Sequence, residues 1–124
     1  MDSKKRILVA EDDGFLARAY EGKLSRLGYE VMIVGDGEAT LSKMESFNPD
    51  LLVLDIMMPK MNGFGVLGAI RQNPKWQNLP VVVATNLGQP EDMAKAKELN
   101  ASFYVIKSDI SLSDLMAKIA SLLT

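Results

Sequence analysis

Leu51-Leu52-Val53-Leu54-Asp55, residues 51–55, is a row of four apolar side chains closed by a carboxylate. Such a run fits a central strand covered on both faces, as parallel sheets require. The same form recurs outward from it. Ile7-Leu8-Val9-Ala10 leads into Glu11-Asp12-Asp13, Val81-Val82-Val83-Ala84 into Thr85-Asn86, and Tyr104-Val105-Ile106 into Lys107-Ser108. Val31-Met32-Ile33-Val34 is the remaining run; Tyr29 and Glu30 border it, and it is expected nearer an edge.

Between the runs the period becomes helical. Leu16, Tyr20, Leu24 and Leu27 fall on one face of a first helix, and Gly28 supplies a left-handed cap. Asp36 reads as the N-cap of a second helix carrying Leu41, Met44 and Phe47, which Asn48-Pro49 ends. A third helix is expected from about Gly63 to Asn73, burying Val66, Leu67 and Ile70. A fourth is expected from Pro90 to Leu99, with Asn100 taking a left-handed cap. A fifth begins near Ser111 and aligns Leu112, Leu115, Met116, Ile119 and Leu122.

Five strands, each followed by a helix, read as a doubly wound α/β fold. Right-handed crossovers leave few topologies, and a (βα)5 flavodoxin-like parallel sheet in the order 2-1-3-4-5 fits best. The chain of 124 residues suits one domain, residues 1–124. Winding reverses between strands 1 and 3, so a crevice is expected at their carboxyl ends.

Composition narrows the chemistry. Apolar residues make up 48% and charged residues 24%, with a net charge of -2. Basic residues are scattered among acids, so no direct contact with nucleic acid is expected. No run approaches the ~20 residues that cross a bilayer, and the polar start from Met1 to Arg6 with Ile7–Ala10 is too short for a signal-peptide core. With no cysteine, a cytoplasmic location is expected. The lack of histidine also removes the commonest general base and zinc ligand.

Each polar residue at a strand end has an ordinary explanation when taken alone. Acids before a helix complement its dipole, an Asp after a strand opens a turn, Thr85 caps, and Lys107 is solvated. Together they are complementary groups on one edge of the sheet. Carboxylates from strands 1 and 3, side by side, repel one another and need a cation. Oxygen ligands point to Mg2+, with Mn2+ as the alternative. A nucleophilic carboxylate, a divalent ion, a lysine and a hydroxyl suit phosphoryl transfer through an aspartyl phosphate. The reading requires the Asp55 carboxyl to lie well within a nanometre of those of Glu11 and Asp12.

Four motifs carry a resemblance: residues 7–13 (Ile7 to Asp13), 51–63 (Leu51 to Gly63, with Met57, Met58, Pro59 and Lys60 after the acid), 80–85 (Pro80 to Thr85) and 104–107 (Tyr104 to Lys107). At these residues the chain resembles the response-regulator receiver family of two-component signalling, of the chemotaxis-regulator-like kind, over essentially its whole length. The resemblance implies that Asp55 accepts the phosphoryl group and that Glu11 and Asp12 hold Mg2+, Asp12 more directly. It implies that Asp55 and the backbone carbonyl of Met57 complete the metal ligands. Thr85 and Lys107 would bind phosphoryl oxygens, and Tyr104 would reorient with Thr85. Pro59 and Gly63 would shape the loop after Asp55. Such a chain is a phosphoacceptor switch that catalyses only its own phosphorylation and dephosphorylation. A histidine kinase or phosphotransfer protein would meet the helix after Asp13, with Phe15 and Ala19 as candidate contacts. The surface of helix 4, strand 5 and helix 5 would signal to a downstream protein target or a fused output domain. None is read after helix 5, so action through protein contact, or as a domain of a larger protein, is expected. Ser108 stands where the family usually has proline, often in cis. A cis bond before a non-proline residue costs about 3 kcal/mol, so that geometry is not carried over.

Three rivals meet obstacles. A nucleotide binder needs a phosphate-cradling loop after strand 1, where acids stand instead. A small-molecule phosphatase would want a cap and an Asp-x-Asp pair. A receiver that works as an interaction module without phosphorylation is hardly excluded by sequence, though the intact site argues against it.

Overall fold

In the computed structural model, which describes residues 4–124, parallel strands follow all five apolar runs. They are β1 (Arg6–Ala10), β2 (Glu30–Val34), β3 (Leu51–Leu54), β4 (Val81–Thr85) and β5 (Phe103–Ile106). The first three residues of the polar start lie outside the described residues. The sheet runs β2-β1-β3-β4-β5, and β2 is an edge strand as its polar borders suggest. Ala10 pairs with Leu54, and Leu54 with Val83. The register therefore brings the carboxyl ends of β1, β3 and β4 level.

The helices are α1 (Gly14–Arg26), α2 (Gly37–Phe47), α3 (Gly63–Gln72), α4 (Pro90–Glu98) and α5 (Leu112–Leu122). Four of the starts follow capping chemistry, and α4 opens instead on Pro90 in its first turn. Asp13 accepts from the backbone of Phe15 and Leu16, Asp36 from Ala39, Asn62 from Gly65, and Ser111 from Asp114. Gly28, Asn48 and Asn100 all take positive φ just past helix ends, at 96°, 52° and 64°.

Alternation along each strand splits the interior in two. Leu8, Leu52, Leu54, Val81 and Val83 pack with Met44 and Phe47 of α2 and Val66, Leu67 and Ile70 of α3. Ile7, Val9, Leu51, Val53, Val82 and Ala84 pack with Tyr20 and Leu24 of α1 and Leu115, Met116 and Ile119 of α5. Both faces of β1, β3 and β4 are thus dry, which is why these runs are continuously apolar.

Three details differ from the sequence pattern. Leu27 is not on the buried face of α1; it caps the helix and is 56% exposed. Its spacing satisfied the helical period, but the chain turns away toward Gly28 before Leu27 can reach the sheet. Trp76, in a short 3-10 turn at Pro74–Trp76, joins the α2–α3 side of the core, and its Nε1 is enclosed without a partner. Helix α4 buries only Ala96. The Lys107–Ser108 peptide is trans, since the described residues contain no cis bond.

Candidate functional site

The backbone fixes the carboxylates first. Glu11 N–H donates to Val34 O on β2, and Asp55 N–H to Ala10 O on β1, both at 3.0 Å. These bonds extend the ladders by one residue past the strand ends. Glu11 is 3% exposed and Asp55 5% exposed, whereas Asp12 is exposed. Glu11, Asp12 and Asp55 each offer an oxygen, and these oxygens lie within 4.8 Å of one another. The nanometre requirement is met.

The loop after Asp55 is held by close packing. A Cβ on Gly63 would collide with the carbonyl oxygen of Asp55 and the Cα of Ile56, so only glycine lets α3 start against the backbone of the acid. Gly63 N–H donates to Ile56 O at 2.8 Å, and Met61 N–H to Pro59 O at 2.8 Å. Pro59 and Gly63 thus occupy the shaping positions expected of them. The loop also turns through Lys60 in the left-handed region, at φ 69°, with its ammonium 3.8 Å from Asp36. No sequence signal marks that turn, because lysine has no preference for it.

Lys107 closes the site from the end of β5. Its Nζ lies 2.6 Å from Glu11 Oε1 and 2.7 Å from Asp55 Oδ2. Pairing with Asp55 follows from the expected cluster; bridging to Glu11 as well does not, since it depends on where the lysine side chain settles. Burial is the largest single influence on Lys107 and pulls its pKa down. The hydrogen bonds and charges of Asp55 and Glu11 outweigh it, so the ammonium is held above the usual lysine range. Burial pushes the Glu11 carboxyl up, against the opposing pull of Lys107 and of the Asp13 N–H, which donates to Oε2 at 3.1 Å.

One ammonium against three carboxylates leaves the pocket short of positive charge. Oxygens on opposite sides of Mg2+ stand about 4 Å apart. The Glu11, Asp12 and Asp55 oxygens are nearly within that span, and Asp12 is exposed. Hard oxygen donors with no His or Cys suit Mg2+ or Mn2+, so the donor set fits the expected ion. Met57 follows at the rim, 61% exposed, and its N–H donates to Asp55 Oδ1 at 3.2 Å.

Thr85 and Tyr104 complete the edge. Thr85 is fully buried at the end of β4, and its Oγ1 accepts a long bond, 3.4 Å, from Leu87 N–H. Tyr104 is half-buried, and its hydroxyl donates to Leu87 O at 2.6 Å. Burial, Asp92 and Asp55 push its phenol up. The two side chains do not touch in the described hydrogen bonds; they meet through the backbone of Leu87. Sequence reading coupled Thr85 to Tyr104 but had no signal for Leu87, because main-chain atoms leave no mark in residue type. Of the two candidate contact residues on α1, Phe15 is 80% exposed and Ala19 half-buried.

Comparison with known proteins gives one family. Residues 7–120 match the response regulator receiver domain. The chain is 41% identical over 121 residues to the probable transcriptional regulator ycf27 of Cyanophora paradoxa, covering 98% of this chain and 49% of that protein. It spans about half the length of the first curated relatives it matches. The CheY-like response regulator receiver domain protein of Methanospirillum hungatei JF-1 superposes with a TM-score of 0.90 at 27% identity, covering 98% of this chain and 94% of that one. The Mn(2+)-bound form of response regulator Rcp1 gives a TM-score of 0.81 at 31% identity, covering 95% and 91%.

Proposed function

This chain belongs to the response regulator receiver domain family, and from that premise we propose that Asp55 is the residue that takes the phosphoryl group. A receiver is a phosphoacceptor switch of two-component signalling. The observation that carries the assignment is the Asp55 carboxylate, nearly buried, tied to Lys107 Nζ at 2.7 Å and sharing a 4.8 Å cluster with Glu11 and Asp12.

A carboxylate oxygen of Asp55 attacks phosphorus, the bond to the donor breaks, and an aspartyl phosphate forms. Asp12, Glu11, Asp55 and the Met57 carbonyl would hold Mg2+, or Mn2+ in its place, and such an ion would supply positive charge beside the transferred group. Lys107 leaves its bridge between two carboxylates to pair with a phosphoryl oxygen. Thr85 turns its hydroxyl toward another.

The switch then follows from the Leu87 junction. When the Thr85 hydroxyl turns to the phosphoryl group, Leu87 N–H loses its acceptor. The same residue's carbonyl holds Tyr104. The loop before α4 and the ring of Tyr104 are thereby released together, and the surface of α4, β5 and α5 changes. The phosphoryl contacts drive this shift only to the extent that they favour one of the two states.

The donor is a histidine kinase or phosphotransfer protein in the cytoplasm, met beside exposed Phe15. The output is a protein target or a fused output domain. Among the described residues no helix is long and apolar enough to cross a membrane. The test is phosphorylation by a small phosphodonor, followed by intact mass, with and without Mg2+. The wild type gains one phosphoryl group only with the ion, and Asp55→Asn gains none. Full labelling of Asp55→Asn would refute the assignment.

A further inference from the structure

A cavity of about 110 Å3 lies directly behind Lys107, between α1, the ends of β4 and β5, and α5. Leu16, Ala84, Val105 and Leu115 give it apolar walls, and Tyr20 and Lys107 also line it. Tyr20 stands where the helical pattern of α1 asks for an apolar residue, and it is 3% exposed. A buried phenol normally finds a hydrogen-bond partner. Half-buried Tyr104 does so, donating to Leu87 O. The Tyr20 hydroxyl has no protein partner among the described residues. Nor is it sealed in, since among the described residues the fully enclosed unpartnered side-chain nitrogen or oxygen is Trp76 Nε1, and Tyr20 lines the cavity.

Lys107 has a matching surplus. An ammonium carries three N–H donors, and Glu11 Oε1 and Asp55 Oδ2 take two of them, at 2.6 and 2.7 Å. Tyr20 and Lys107, each with unused hydrogen-bonding capacity, therefore line one small space, together with Ser111, whose Oγ already accepts from Asp114 N–H. A water occupies about 30 Å3 in the liquid and settles where it gains two or more polar partners, so the cavity has room for at least one. Tyr20 and Lys107 line the same cavity, and Lys107 Nζ is bound to Glu11 and Asp55, so the cavity adjoins the acidic cluster.

We propose that Tyr20 is a positioning residue for the acceptor site: its hydroxyl holds Lys107 through a water bound in this cavity. The bridge limits the directions in which the ammonium moves when it exchanges a carboxylate for a phosphoryl oxygen. Tyr20 touches neither donor nor acceptor and acts only through Lys107. The inference rests on the role given to Lys107 above.

The experiment compares wild type, Tyr20→Phe and Lys107→Ala. Phosphorylation by a small phosphodonor with Mg2+ should slow about three- to tenfold in Tyr20→Phe, the range a single hydrogen bond supplies, with unchanged thermal stability at neutral pH. The side-chain 15N signal of Lys107 reports the bridge itself: its ammonium protons should exchange faster in Tyr20→Phe than in wild type. A high-resolution crystal structure of the wild type should show a water within hydrogen-bond distance of both Tyr20 Oη and Lys107 Nζ. Absence of that water, or Tyr20→Phe matching wild type in rate and lysine exchange, would overturn the bridge. Unchanged phosphorylation in Lys107→Ala would instead strike the role of Lys107 itself.

Discussion

The two sides of the acceptor pocket are built to different tolerances. On one side stand β1 and β3, whose Ile7–Ala10 and Leu51–Leu54 are all 2% exposed or less, backed by α3 with four buried residues. On the other stand β5, with only Val105 buried, and α4, with only Ala96. Glu11 and Asp55 belong to the first side, and Tyr104 and the loop from Asn86 to Pro90 to the second. Helix α4 has little burial to lose when it moves, whereas α3 cannot shift without opening the core. Chemistry needs fixed partners and signalling needs a part that yields, and the packing divides along that line.

The difference should be largest in stability. Leu67→Ala, fully buried on α3, is expected to cost about 2–5 kcal/mol in urea unfolding. Met93→Ala, on α4 and 43% exposed, should stay within about 0.5 kcal/mol. Similar costs for the two would erase the contrast.

The second effect is alkaline. Burial first, with Glu11 and Asp55 adding and Lys107 opposing, pushes Tyr20 up to about 12. An unfolded phenol titrates near pH 10. The neutral form is therefore favoured by folding, so its contribution is complete below about pH 10 and is lost as pH rises toward 12. Wild type should lose on the order of 1–2 kcal/mol over that range, after allowance for solvent screening. Tyr20→Phe should lose less, and equal alkaline loss in both proteins would remove Tyr20 from the account.

The smallest change concerns the yielding side. Tyr104→Phe deletes the bond to Leu87 O and should cost about 0.5–1.5 kcal/mol. It should also speed amide hydrogen exchange from Leu87 into α4 while leaving α3 alone. Acceleration spread evenly over both helices would mean that Leu87 is not the local tether.

Most of the frame was legible in the sequence because its causes are local. Continuous apolar runs reported strands dry on both faces, and Asp36, Ser111, Gly28 and Asn100 reported helix ends through capping chemistry. The gathering of Glu11, Asp12, Asp55 and Lys107 was legible through topology, since parallel strands place all carboxyl ends on one edge. What escaped depends on contacts between distant elements. Leu27 kept the helical period yet faces solvent. Lys107 reaches a second carboxylate, and Leu87 joins Thr85 to Tyr104 through main-chain atoms. Each is a meeting of atoms that residue type alone does not encode.

The most direct test records amide 1H–15N spectra with Mg2+ before and after Asp55 is loaded from a small phosphodonor. If one side of the pocket holds and the other reports, shifts outside the acceptor loop will concentrate in residues 85–98, 103–106 and the exposed face of α5. The strand interiors of β1 and β2 and helix α2 will change little. Shifts confined to the residues around Asp55, or spread evenly through the sheet, would contradict a switch carried by the loosely packed side.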